Sequence, residues 1–441
     1  MNPMTRPIQR PALTPVRRLL TVSLLFGFSA HAAPVYSWSD CVDLAKKNNA
    51  VLRAAEADLR STQSQEGVSR SGFLPEVSAN LSYTRGNTSV NLSGSDPNNF
   101  SSSNNSGRYS ATLSGSWNLF SGFQDQGRLS QAKANTDAQN ASLQSTKAQV
   151  SYDLKSAYEG FVYAKEYAKL TTDIIDRREE NLRMVELRFQ SGLENKGSVL
   201  LSQANADQAK YDHLQAQHAQ RVARAQLARE LGLDEYDTFD VQGEIPVTNA
   251  PQSLPDLKAL ALETPEVLQA TAKEESAFQA IRVSRAGFFP SLDLTGSMGR
   301  QGPDFFPDER NSWSVGLNLS LPIFSGGKDY YGVRSASASW ASAASTDENT
   351  RRDVLAKLEQ AYSTYVEAVM KLKVDQSYRN ASTTRAEIAR KQYNNGLITF
   401  NDWNIIEDDL ISRQKSYLQS QRDRVVAEAA YEQVQGKGVI P

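Results

Sequence analysis

The sequence is short of the residues that carry most enzyme chemistry. A single cysteine, Cys41, excludes a disulfide framework, and three histidines, His31, His213 and His218, are too few for most metal or general-base constellations. Apolar residues make up only 39% of the 441 positions, and mean hydropathy is −0.51, which is lean for a large compact core. Beyond the N-terminus there is no run of 18 or more apolar residues, so no membrane-crossing helix is expected. No Gly-Lys-Ser/Thr phosphate loop is present, and nothing places a carboxylate pair in a cleft as a wall hydrolase would need. The reading is therefore no enzyme, no metal and no cofactor. With 48 basic and 50 acidic side chains, the charge balance also argues against a nucleic-acid partner.

What is present begins with an address. Residues 1–32 read as a secretory signal: Arg6, Arg10, Arg17 and Arg18, the apolar run Leu19 to Phe28, then Ala30-His31-Ala32 as a small-x-small cleavage site. Its removal leaves 44 basic and 50 acidic groups. Cys41 follows Trp38-Ser39-Asp40, unlike a lipid-attachment site, and reads as a packed helix cysteine. His213 and His218, five apart on one helix, read as solvent-facing.

The chain is written twice. Val68-Ser69-Arg70-Ser71-Gly72-Phe73-Leu74-Pro75 recurs 215 positions later as Val283-Ser284-Arg285-Ala286-Gly287-Phe288-Phe289-Pro290. Leu119-Phe120-Ser121-Gly122 recurs 204 positions later as Ile323-Phe324-Ser325-Gly326, and Phe189, Gly192 and Leu193 as Tyr393, Gly396 and Leu397. The offset changes once, by 11 residues, so the halves differ mainly in one loop.

Each half follows one plan. A helical segment (39–71; 253–287) stops at Gly-Phe-x-Pro, since proline and the residue before it resist helix. A β-hairpin follows (76–118; 291–322), then a proline-free long helix (124–189; 328–393) ending at Ser191-Gly192 or Asn395-Gly396. A short turn leads to another helix (198–231; 401–434). The first repeat thus spans 33–231 and the second 253–435, with a linker at 232–252 and a tail at 436–441. The long helices are about 100 Å rods at about 1.5 Å per residue, and two short rods end to end match one long rod. Such a set tiles a hollow cylinder. Trp403, Leu410 and Tyr417 form one heptad line, with Ile411, Leu418 and Val425 beside it, as side-by-side helix packing requires. The acidic run Glu407, Asp408, Asp409 reads as a solvated face.

The extended segments alternate. Val77, Ala79, Leu81 and Tyr83 oppose Ser78, Asn80, Ser82 and Thr84, and Trp313, Val315, Leu317, Leu319 and Leu321 oppose Ser314, Gly316, Asn318 and Ser320. Strands of about ten residues with aromatic ends (Tyr83, Tyr109, Trp117, Phe120, Trp313, Phe324) suit tilted spans of a lipid bilayer. The Ser- and Asn-rich stretch 87–108 reads as the external loop. Four strands cannot close a barrel, and an open edge in lipid costs several kcal/mol per unpaired backbone group. Two copies would give eight strands with a side-chain-filled interior; three would give 12 and leave a water-filled lumen, so a homotrimer is expected.

With these features together, the mature sequence resembles the TolC family of outer-membrane efflux ducts over nearly its whole length. The resemblance rests on the duplicated plan, the Gly-Phe-x-Pro and Phe-Ser-Gly turns around each hairpin (Gly72, Pro75, Gly122; Gly287, Pro290, Gly326), and the aromatic-x-x-Gly-Leu turns. It implies a mainly α protein whose trimeric 12-stranded β-barrel continues into a helical tunnel across the periplasm, with an equatorial belt from 232–252 and the tail. It implies a tunnel end opened by a periplasmic adaptor and an inner-membrane ABC or RND transporter, docking near Gly192, Leu193, Gly396 and Leu397. Asp402 matches the family's acidic ring, where three carboxylates on one axis raise each other's proton affinity and attract cations; its other reading is helix-start stabilisation. Tyr393 matches the family's gate tyrosine, whereas the gate's Arg–Asp pair falls on Ile398 and Ser198, so both partners are missing. Drug efflux, type I protein secretion and metal efflux all share such a duct. The rival expectation is a periplasmic coiled-coil adaptor or adhesin-like protein with a soluble β domain.

Overall fold

The computed structural model describes residues 34–89, 103–234, 239–244 and 255–440. The signal at 1–32, the centre of the loop at 87–108 and much of the linker at 232–252 lie outside the described residues. In order the elements are β1 (Val35–Tyr36), α1 (Trp38–Asn48), α2 (Ala50–Ser71), β2 (Glu76–Ser89), β3 (Ser103–Phe120), α3 (Gln124–Gln190) and α4 (Lys196–Leu231), then β4 (Asp240–Val241), α5 (Leu257–Glu263), α6 (Pro265–Arg285), β5 (Ser291–Gly302), β6 (Arg310–Ser320), α7 (Lys328–Asn394) and α8 (Phe400–Val434).

Helices α3 and α7 are each 67 residues long, roughly 100 Å. The buried face of α3 is largely alanine (Ala132, Ala134, Ala138, Ala141, Ala148, Ala164, Ala168), which keeps helical propensity high and lets neighbours approach closely. Larger apolar groups cluster at mid-length, where Leu154, Tyr158 and Phe161 pack with Cys41, Leu227, Leu231, Phe239 and Val241. Burial first, and the Asp40 charge second, push the Cys41 thiol up to about 12, so it serves as a packing residue.

The helices expected over 39–71 and 253–287 are each broken. Asn49 leaves the helix at φ −60°, ψ 122° and its side chain accepts from the Val51 and Leu52 amides. Thr264 leaves it likewise, before Pro265 at the first position of α6. Asparagine favours the cap over the interior, and proline's missing N–H costs nothing in a first turn. Both breaks are joints between rods. Asn49 Nδ2 donates to Glu230 O at 3.1 Å, tying the start of α2 to the end of α4. A Cβ on Gly232 would lie 2.7 Å from Asn48 O, and one on Gly436 2.1 Å from Pro265 Cδ, so only glycine allows the stacked ends to meet. The two short rods of each half therefore do lie end to end.

Four strands form an antiparallel sheet in the order β2-β3-β5-β6, while β1 pairs with β4 in parallel as a separate two-stranded sheet. At 14 and 18 residues, β2 and β3 outrun the ten-residue expectation, because the ladder continues from Thr84↔Arg108 to Ser89↔Ser103, into the stretch assigned to the loop. Each face keeps one character along most of its height. One level on the polar face is Ser78, Ser114, Ser297 and Ser314, with Ser78–Ser114 and Ser297–Ser314 hydroxyls 2.9 Å apart. The next level on the opposite face is Ala79, Leu113, Met298 and Trp313. That apolar face is bare: Leu81 is 80% and Trp313 81% exposed. Among the described residues, no helix is long and apolar enough to cross a membrane.

Candidate functional site

The turns α3–α4 and α7–α8 bring the matched tip residues together. Gly192 (φ 74°) and Gly396 (φ 71°) close the two long helices in the left-handed conformation that suits glycine. The next residues, Leu193 and Leu397, are 66% and 71% exposed. Restarting helices are capped at equivalent positions. Asn195 Oδ1 accepts the Ser198 amide at 3.0 Å, and Thr399 Oγ1 accepts the Asp402 amide at 3.2 Å.

Tyr393 is the centre of the tip. Its ring stacks on Trp403 at 4.5 Å and 7°, with both side chains about 1% exposed. Arg188 covers the ring at 4.6 Å and donates to the carbonyls of Tyr393 and Asn394 at 3.0 and 3.2 Å, at the negative end of α7. The Tyr393 hydroxyl donates to Glu194 Oε2 at 2.8 Å, while Ser198 Oγ donates to Glu194 Oε1 at 2.9 Å. Burial and Glu194 together raise the phenol well above its ordinary range. Burial pushes the Glu194 carboxyl up, but the Asn195 amide, Tyr393, Ser198 and the Arg188 charge outweigh it, and the net shift is downward. Where the Arg–Asp pair is missing, the tip carries a carboxylate from a different position, Glu194. Glu194 stands at the first-half position equivalent to Ile398, and Ile398 instead packs beside Tyr393, Trp403 and Val185. The one sequence signal for Glu194 was that mismatch between otherwise parallel turns.

Asp402 is exposed in the first turn of α8 and accepts from Thr399 Oγ1 at 2.7 Å. Within one protomer it stabilises the helix start. The neighbouring acidic run is not a solvated face throughout. Glu407 is 1% exposed and takes a bidentate pair from Arg177 at 2.5 and 2.9 Å. Asp408 pairs with Arg178, and Asp409 accepts from Ser382 and Arg413 at 3.0 and 3.1 Å. Arg390 on α7 joins through Glu180 at 2.7 Å. Spacing along one helix could not reveal cations some 230 positions away.

Above the tips, the belt segments meet the middle of α3. Tyr158 donates to the carbonyls of Gln242 and Gly243 at 3.1 Å, and Lys165 pairs with Asp240 at 2.8 Å. From the tail, Ile440 N donates to Ser151 Oγ at 3.1 Å. At the sheet, Gly72 lies against Asp125 and Gly287 against Asp329, the equivalent first-turn carboxylates of α3 and α7. Trp117 Nε1 donates to Phe73 O at 3.0 Å, just before Pro75. Gly122 (φ 65°) fits against Ala286 and Phe289 of the second half, before Pro290, whereas its counterpart Gly326 (φ 64°) has open space around it.

That asymmetry recurs throughout the chain. Helix α3 packs on α2, α4, α6 and α8, whereas its repeat α7 packs on α5, α6 and α8, with no comparable seam to α2 or α4. Tyr330, Tyr331 and Ile388 on α7, and Leu200, Tyr211 and Val222 on α4, are each more than half exposed. Strands β2 and β6 are unpaired edges.

The profile of the family described as "Outer membrane efflux protein" matches residues 41–233 and 257–437, one block per repeat. Among curated relatives, the fusaric acid resistance protein FusA of Burkholderia cepacia is 27% identical over 63% of this chain and 53% of its own length. CyaE of Bordetella pertussis is 26% identical over 68% of this chain and 66% of its own, and the outer membrane protein OprJ of Pseudomonas aeruginosa 24% over 88% and 79%. The chain therefore spans about half to two-thirds of the length of FusA and CyaE. The outer membrane protein VceC of Vibrio cholerae shares the fold, with a TM-score of 0.79 at 18% identity over 91% of this chain and 96% of its own.

Proposed function

The chain belongs to the outer membrane efflux protein family, and from that premise we propose that it is the passive exit duct of a tripartite export system, working as a homotrimer. The observation that carries this reading is the four-stranded sheet with two unpaired edges and an apolar outer face, leading into helices that each lack one set of neighbours. Quasi-equivalence supplies the missing contacts. A second copy's α2 and α4 stand to α7 as α6 and α8 stand to α3, and its β2 closes β6. Three copies give 12 strands, a count that leaves an aqueous lumen lined by the Ser and Thr face. A duct of this family performs no catalysis, so energy comes from an inner-membrane transporter, ABC or RND, through a periplasmic adaptor. The exposed Leu193 and Leu397 on their glycine turns suit apolar docking of adaptor hairpins. Family membership weighs against a soluble adaptor or adhesin.

The periplasmic end is closed by the tips, with Tyr393–Glu194 and the Trp403 stack inside each protomer and Asp402 near the axis. Planar-bilayer recording tests this. Purified protein is expected to give low, cation-preferring conductance, and Asp402→Ala should reduce the cation preference. Unchanged selectivity would remove Asp402 from the constriction; absence of any channel would remove the duct.

A further inference from the structure

The apolar face of the sheet is free of charge along most of its height, and the two charges that break the rule, Arg300 and Arg85, stand at its upper end. Its successive levels run Phe120, Leu292 and Leu319; Trp117, Leu294 and Leu317; Val77, Gly115, Gly296 and Val315; Ala79, Leu113, Met298 and Trp313. The next level is Leu81, Ala111, Arg300 and Asn311, followed by Tyr83, Tyr109 and Gly302. Arg300 is exposed and stands one level below a belt of rings, Tyr83–Tyr109–Phe305–Phe306, whose centroids are 4.6, 5.7 and 5.0 Å apart. Eight residues separate Leu292 from Arg300, about 26 Å of strand at about 3.3 Å per residue. At a tilt of about 40° that is roughly 20 Å of height, within an apolar band about 25 Å tall. The guanidinium therefore reaches the outer headgroup boundary. Ala79 and Ala111, small among larger neighbours, leave a groove of about 440 Å³, lined also by Leu81, Leu113, Met298 and Trp313, with Arg300 and Asn311 among its walls.

We propose that this groove holds an acyl chain of lipid A, the phosphorylated glycolipid anchor of the outer leaflet, with its phosphate on Arg300. An apolar slot suits the chain, and a planar, permanently charged fork suits the phosphate. A cation on a lipid-facing surface is costly without such a partner. Because the inference rests on the outer-membrane placement, its test carries a separate control for that placement.

The detergent-solubilised protein is titrated with purified lipid A, with chemically dephosphorylated lipid A and with phosphatidylglycerol, and bound lipid is counted by native mass spectrometry. The wild type should retain lipid A, and Arg300→Gln should bind it at least tenfold more weakly. Arg300→Lys should restore part of the binding, while Arg310→Gln, on the polar face, should behave as wild type. Dephosphorylated lipid should bind no better than lipid A binds the Gln variant. Equal binding by wild type and Arg300→Gln, or of lipid A with and without phosphate, overturns the proposal; equal binding of phosphatidylglycerol overturns lipid A as the occupant. If Arg300→Gln fails to assemble, the Lys variant and the three-lipid comparison on wild type still decide. Membrane fractionation of the wild type, run alongside, reports on the placement independently of lipid binding.

Discussion

At the scale of single residues, the tip is governed by one carboxylate. Glu194 receives hydrogen bonds from Tyr393 and Ser198 and so joins the end of α7 to the start of α4. A hydrogen bond to a charged group contributes about 1.5–3 kcal/mol, on the order of tenfold in a closed–open equilibrium. Glu194→Gln and Tyr393→Phe should therefore each raise the open probability in planar bilayers roughly tenfold; no change would confine the clasp to a packing role. The pH dependence has a definite sign. Glu194's folded pKa lies below the usual 4.5, so its stabilisation is complete above that value and is lost as pH falls through the folded pKa. Wild-type openings should increase below about pH 4.5, and the Glu194→Gln response should be flatter.

Between elements, the α3–α8 seam is held by charge as much as by apolar contact. Arg177–Glu407 lies in the lower tunnel and Lys155–Glu432 near the belt, with Lys415–Asp212 tying α8 to α4 between them at 3.0 Å. Deleting one member of a buried pair is costly because the other charge stays behind. Glu407→Ala should destabilise by about 2–3 kcal/mol, less than a fully buried pair because Arg177 is 26% exposed. The double variant Arg177→Met with Glu407→Leu should recover most of that loss in denaturant unfolding. A double variant as unstable as the single one would contradict the account.

These elements also show what the sequence could convey. The repeat, the glycine stops and the strand alternation are local patterns, and the long helices and strands begin and end close to them. Asn49 and Thr264-Pro265 carry local break signals, a capping side chain and a first-turn proline, and the rod end packed at each joint completes the break. Glu407 was misread because its partner comes from another helix. Glu194 was visible only as a departure from the repeat, opposite Ile398.

As a whole molecule, a single chain is incomplete. One copy presents an apolar sheet face to solvent, two strands with unpaired backbone edges and an α7 surface without the neighbours its repeat possesses. An open edge is untenable in lipid, so the chain is stable only as part of a closed ring. The most direct measurement is the native mass of protein extracted from membranes in mild detergent. Exactly three chains per particle, separating into single chains only on denaturation, is the predicted result. A monodisperse single chain that stays in solution after the detergent is removed would contradict the closed barrel and the duct built on it.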